Sequence, residues 1–405
     1  TVMNFIKCLI VIVVVCTAFC CCQNRLQMAL DLAGENHGQL EEVLGRYQDN
    51  PEKLLIAEFL INNMPAHQGE HQGKAKTDAQ VITSEYLIDV VDKTYSRWKN
   101  MPWARHLSFD EYLEWILPYR VVETQHIEPW SETLSKVLTE RIAQMPSDDD
   151  EYNTATKVME EIRKTLREEY GYQIDESGRK ALTNIASMKE KKPSATSYYS
   201  QLLVAACRSV GVPAVLDENA LGDRIPTTMT VDAKYKTATQ WPVIMSSKGI
   251  EEPIANDISD EESYGFFPYD KCPKVYRNTF AMNEKRLKYR QETKYTYPFD
   301  LCKTDVTDKY FLTSNLEIPI DKSMAQTIKD KYVYIAAEVY GKEGKETDWV
   351  IVDFGVMTGE KAHFSKMGRD VKYLIYGYDG ESLVPICTPF VLQKSGVVNY
   401  IKERK

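Results

Sequence analysis

The sequence predicts an α+β protein, and three observations carry that prediction. Hydrophobic residues recur at helical spacing from Leu26 to about Ile142, one strongly apolar helix stands near residue 200, and short runs rich in Val, Ile and Tyr follow Leu301. At 405 residues and 43% hydrophobic content, the chain suits two or three domains better than one core. Its expected parts are a leader over 1–22, a helical N-terminal region over 23–145, a mixed core over 150–300 and a β-sandwich over 303–405.

The leader is "MNFIKCLIVIVVVCTAFCCCQNR", in which Lys7 precedes an apolar run from Cys8 to Cys22 and polar residues follow at once. The run is short for a spanning helix, and it reads as a signal peptide with a lipobox-like end. Phe19 is bulky beside a cleavage point, which disfavours Cys20 and leaves Cys21 or Cys22; Cys22 is preferred as the acylated residue. An uncleaved anchor is the alternative. Both readings expect a membrane as partner and the cell envelope, periplasmic or surface-facing, as location. The formal charge of -9 offers no general basic surface for phosphate, so nucleic acid is not an expected partner.

Within the helical region, "NPEKLLIAEFLINNMP" offers Asn50 as N-cap, Pro51 at the first helical position, and Leu54, Ala57 and Ile61 at helical spacing. "MPAHQGEHQGKAKTD" reads as a loop. "SFDEYLEWILPYR" starts at Ser108 with Glu111 three residues on, a capping box, and Pro118 ends or kinks it. "MPSDDDEY" is an acidic linker. Beyond it, Val158, Ile162 and Leu166 mark one side of an amphipathic helix closed by Gly171.

The central stretch is "SATSYYSQLLVAACRSVGVPAVLD". Tyr199, Leu202, Leu203, Ala206 and Val210 follow helical spacing, and "LLVAAC" is apolar nearly all round, so this helix is expected to be buried. Gly211 is a natural C′ residue, Pro213 blocks continuation, and "VPAVLD" reads as a strand.

Here the chain resembles the transglutaminase-like superfamily, papain-like in fold, whose catalytic helix runs into an Arg-x-x-Gly-Ile-Pro-type segment matched by Arg208, Gly211, Val212 and Pro213. "LDLAGENHGQLEEVLGRY", "AEFLINNMP", "SFDEYLEWILPYRVVE", "PKVYRNTF" and "DVTDKY" extend the resemblance to a group of exported, mostly lipid-anchored Bacteroidetes-type proteins built on that core. The resemblance implies a Cys opening the helix, activated by the helix dipole and a His. Fifteen residues before Gly211 stands Thr196 instead, and the His-x-Trp-type segment ending at Trp241 has Thr239 in place of His. No His occurs between His126 and His363, and Asp257 stands near the third, orienting position. The implied protein is non-catalytic, binding polypeptide or glycan through the former cleft, with no cofactor and no metal.

The residues themselves leave alternatives. Ser194, Thr196 and Ser197 suit a helix start as N-cap oxygens; a hydroxyl nucleophile for amide hydrolysis or acyl transfer would need His106, His126 or a lysine from "KEKK" as base. A structural envelope scaffold is the third reading. Trp98, Trp103, Trp115, Trp130 and Trp241 serve packing or an aromatic platform, with Trp115 and Trp241 the candidate binding residues. Arg120 and Glu123 suit an ion pair or a cleft-lining pair. Asp305 and Asp308 suit a turn better than calcium. Of nine cysteines, Cys207, Cys272, Cys302 and Cys387 lie beyond the leader. Cys207 is expected in the core, and a Cys272–Cys302 bridge is an expectation for an oxidising compartment.

Overall fold

Asn50 and Pro51 do at the start of their helix what their chemistry allows: Asn50 Oδ1 accepts from Lys53 N–H at 3.1 Å, and Pro51 opens the helix where no N–H is needed. The computed structural model describes residues 25–401 except 124, 144, 146–150, 171–195, 223, 230–238, 247, 255–270 and 342–345, and except the side chains of 70, 151–154, 170 and 196–198. The chain is mixed α+β, with helices in its N-terminal half and a curled antiparallel sheet at its C-terminus. The leader, Cys22 included, lies outside the described residues, and no helix among those described is long and apolar enough to cross a membrane.

The N-terminal layer consists of α1 (25–33), α2 (His37–Arg46), α3 (Pro51–Asn63), α4 (Ser84–Asn100) and α5 (Phe109–Trp115). Ser108 and Glu111 close the expected capping box at α5. The stretch expected as a loop instead holds a hairpin, β1 (Gln68–His71) and β2 (Lys74–Thr77), turning through Gln72 and Gly73 with φ of 52° and 76°. Two successive positive φ values are what a tight hairpin turn requires. Its strands carry too little apolar alternation to announce themselves.

The helices α6 (Trp130–Ala143), α7 (Glu151–Tyr170) and α8 (Thr196–Ser209) form a second layer. Between the two layers runs a five-stranded antiparallel sheet in the order β5-β4-β3-β6-β7, made of β3 (Ala214–Asn219), β4 (Gln240–Met245), β5 (Glu251–Pro253), β6 (Val275–Asn278) and β7 (Lys303–Asp305). Strand alternation sorts its faces. Val215, Trp241, Val243 and Val275 pack with the N-terminal helices, whereas Ala214, Leu216 and Ile244 pack with α6, α7 and α8. Val158, Ile162 and Leu166 are buried as their spacing predicts. Gly211, at φ 81°, ends α8, and Arg97 of α4 and Met101 just after it approach so closely that a Cβ there would lie 3.1 Å from Arg97 Cβ.

After the short helices α9 (Glu284–Glu292) and α10 (Thr307–Tyr310) come strands β8 (Thr313–Pro319), β9 (Tyr332–Tyr340), β10 (Thr347–Thr358), β11 (Lys361–Gly368), β12 (Val371–Tyr378), β13 (Leu383–Pro385), β14 (Phe390–Leu392) and β15 (Val398–Tyr400). The expected two-sheet sandwich is corrected: these strands form one hydrogen-bonded sheet, β15-β14-β12-β9-β10-β11-β8, with β13 on β12. The long β10 and β11 are bent by register shifts at Ile351/Asp353 and Phe364/Met367, and such bulges increase local twist, so one sheet curls over its own core. The expected boundary at 303 also moves, because β7 pairs with β6 of the central sheet.

The outer side of the curled sheet is not bare. Tyr289 of α9 stacks on Phe354 at 4.3 Å and shares a 3.0 Å hydroxyl contact with Tyr334, while Phe299 and Tyr297 pack beside them. A segment from Thr279 to Lys405 should therefore unfold cooperatively in urea. A segment starting at Lys303 uncovers Tyr332, Tyr334 and Phe354 and should bind a hydrophobic dye; equal cooperativity in the two would show that α9 is dispensable.

Candidate functional site: a polar row at the head of the central helix

Helix α8 is held by its C-terminal end. Buried Arg208 donates through Nε to Ala214 O at 2.8 Å, through Nη1 to Arg120 O at 3.0 Å and through Nη2 to Glu114 O at 3.3 Å. Burial lowers its pKa to about 10, and Glu114 opposes that shift. With the tail fixed, the other half of the helix is aimed at the start of β4.

There the sheet face toward α8 turns from apolar to polar. Gln201 Nε2 donates to Gln240 Oε1 at 2.7 Å, and Gln240 Nε2 donates to Glu218 Oε2 at 3.1 Å. Asn278 Nδ2 donates to the same Glu218 oxygen at 3.2 Å, and Lys303 Nζ to Glu218 Oε1. Asp300 stands 3.7 Å from Lys303 Nζ. The row thus runs from α8 across β4, β3, β6 and β7. Burial opposes the charge of Lys303, but Glu218 and Asp300 outweigh it and hold the ammonium above its ordinary pKa. Gln201 is 5% exposed, and its Oε1 receives no hydrogen bond. An amide oxygen left so costs about 1–3 kcal/mol.

At the far end of the row stands Glu123. Burial pushes its carboxyl up to about 7, the Asp300 charge adds to the shift, and Lys303, Arg290 and Arg120 oppose it.

The predicted site residues distribute unevenly around this row. Thr196 is the first residue of α8, with its side chain outside the described residues; Ser194, Asp257 and the "KEKK" lysines lie outside them altogether. Thr239 precedes β4 and gives its carbonyl to Asn219 N–H at 3.0 Å. By strand alternation its position belongs with Trp241, on the face away from α8, while Gln240 takes the place facing the helix. His106 is exposed and His126 half-buried.

Trp241 and Trp115 do come together, but not in a cleft. Trp241, 1% exposed, donates to Tyr310 Oη at 3.0 Å; Tyr310 donates to Asp217 Oδ2 at 2.7 Å; Asp217 pairs with Arg277 at 2.7 Å; and Trp115 lies 5.0 Å from the Arg277 guanidinium carbon. Glu251 completes the set at 3.0 Å from Arg277. The binding expectation for these two indoles is therefore corrected to packing around a buried ion pair. Trp98 and Trp130 are buried as well, donating to Leu107 O and Tyr119 O, and half-buried Trp103 donates to Val210 O.

Arg120 pairs with Asp78, not with the Glu123 carboxylate. Its Nε donates to Asp78 Oδ2 at 2.7 Å, and Glu123 supplies only its backbone carbonyl, at 2.8 Å. An aspartate forty-two residues upstream leaves no trace in local spacing.

Burial keeps the four thiols beyond the leader protonated. Cys207, Cys272, Cys302 and Cys387 are unbridged, which corrects the Cys272–Cys302 expectation. Burial raises Cys207 and Cys272 to about 12 and Cys387 to about 11, and it pushes Cys302 upward too. Cys302 Sγ lies 3.7 Å from His67 Nε2, but that nitrogen is 2.8 Å from Phe280 O and so carries its proton toward the carbonyl. Burial lowers the His67 pKa further, so it is a poor proton acceptor for the thiol. Asp305 and Asp308 are bound to Lys274 and Lys366, and no three metal-ligating side chains cluster among the described residues.

The raised Glu123 pKa has a sign. The folded chain holds this proton to higher pH than the unfolded chain, so the associated stability is present below the ordinary carboxylate range and is lost as pH rises through about 7. Glu123→Gln should flatten that decline in urea titrations between pH 5 and 8; an unchanged slope would assign it to other groups. Compared with family models, with curated proteins and with solved structures, the chain matches none.

Proposed function

We propose that this is an exported, lipid-anchored protein with a transglutaminase-like, papain-like core that does no thiol chemistry and binds a polypeptide or glycan at the head of α8. A papain-like core is supported by a buried helix running into an antiparallel sheet that it packs against, with the Arg208–Gly211–Pro213 segment at the junction. Loss of thiol chemistry is supported by Thr196 at the helix start and by four thiols with raised pKa, three of them buried and Cys387 half-buried.

The observation that carries binding is Gln201 Oε1. In a row whose neighbours are paired, it is a buried acceptor waiting for a donor, and a peptide N–H or a sugar hydroxyl would satisfy it. Gln201→Leu should weaken binding of fluorescent peptides or oligosaccharides about tenfold, the size of one hydrogen bond, in anisotropy titrations. Binding unaffected by the substitution, or absent from the wild type, would remove the site.

The anchor has its own test. Intact-mass analysis of membrane-extracted protein should find a mature chain that begins at an acylated Cys22 or Cys21. A lipid-free soluble form would overturn the anchor and leave the binding proposal standing.

A further inference from the structure

Lys274 is a nucleophile in waiting that the polar row does not use. Its side chain is 0% exposed, and its Nζ touches the Asp305 carboxylate, Asp353 Oδ2 at 3.2 Å and Ser365 O at 2.6 Å. These partners come from two sheets, Asp305 from β7 and Asp353 and Ser365 from β10 and β11 of the curled sheet. Around them, Gly368 presses so closely that a Cβ there would meet Cys272 O at 1.8 Å.

The carboxyl of Asp305 is held asymmetrically. Oδ2 faces Lys274, whereas Oδ1 accepts from Thr307 N–H at 3.0 Å and from the Thr307 hydroxyl at 2.6 Å. The hydroxyl is itself oriented, since it accepts from Val275 N–H at 3.0 Å. Two fixed donors on one oxygen and an amine against the other form the arrangement that stabilises a tetrahedral intermediate of acyl transfer. A second carboxylate, Asp353, 5% exposed, stands within reach of the same amine.

We propose that Lys274 and Asp305 condense into an intramolecular isopeptide bond, with Thr307 holding the oxyanion and Asp353 carrying the proton. The ammonium first passes one proton to Asp305 Oδ2, which leaves a neutral amine beside a neutral acid. Nζ attacks Cγ, and the negative charge that develops on Oδ1 meets the two Thr307 donors. Asp353 takes the surplus proton from nitrogen and returns it to the departing Oδ2 hydroxyl. The Cγ–Oδ2 bond breaks, water leaves, and one positive and one negative charge disappear together. No oxidant, metal or second substrate takes part. Asp305, 22% exposed, opens a way out for the water, while the buried amide nitrogen is shielded from hydrolysis.

The bond changes the chain's mass and its digestion. Trypsin should leave 272–277 uncut at Lys274 and joined to 304–309, lighter than the sum of the two peptides by one water. Lys274→Arg and Asp353→Ala, checked for folding by circular dichroism, should yield 304–309 unlinked. Release of unlinked 304–309 at full mass from the wild-type protein, together with cleavage after Lys274, overturns the proposal. A link from 272–277 to 346–361 overturns the assignment of Asp305 as acyl donor.

Discussion

The Asp217–Arg277 pair is the interaction on which the three layers depend. Asp217 is fully buried, so its charge is tolerable only because Arg277 meets both oxygens, at 2.7 and 2.8 Å, and Tyr310 adds a third donor. Each of these partners belongs to a different element, β3, β6 and α10, and Trp115 brings in the N-terminal helices. Removing one member of such a pair costs about 3–5 kcal/mol because the other charge stays behind. The cost binds the layers to one register, since a slip of one residue would send Asp217 to the face of α8 and strand Arg277.

That register also makes the polar row. Within β3 the order Leu216, Asp217, Glu218 puts an apolar contact under α8, an ion pair on the opposite face and a carboxylate back on the α8 side. The row lies where α8 has run out of apolar side chains to cover the sheet, and Gln201 meets Gln240 there in place of a methyl group. Half-buried Glu218 is met by three donors from three strands, β4, β6 and β7, so the row is paired between its two ends, the Gln201 oxygen and the Glu123 carboxyl.

What was legible in the sequence was local. Asn50, Pro51, Ser108 and Glu111 act on backbone a few residues away, Gly211 acts on its own φ, and helical spacing of Tyr199 to Val210 reports one buried side; all of these are visible in a short window. What was hidden depends on partners far along the chain. Arg120 with Asp78, Arg277 with Asp217, and Lys274 with Asp353 are separated by stretches no periodicity spans. The β1–β2 hairpin was hidden for the opposite reason, since its strands are polar and only a Gln-Gly turn marks it. Strand-like runs after Leu301 were plain, but their single-sheet pairing rests on two bulges that apolar alternation does not show.

The same long-range contacts explain why the indoles misled. An aromatic residue beside a strand looks alike in sequence whether it lines a cleft or covers an ion pair, because both need a large ring with one polar atom. Trp241 N–H finds Tyr310, and the Trp115 ring faces Arg277, so each is spent inside the fold. On the proposed binding reading, the groups left to meet a ligand are those whose polar atoms the fold does not use. By that criterion an amide with an unanswered oxygen, Gln201, outranks the more conspicuous tryptophans.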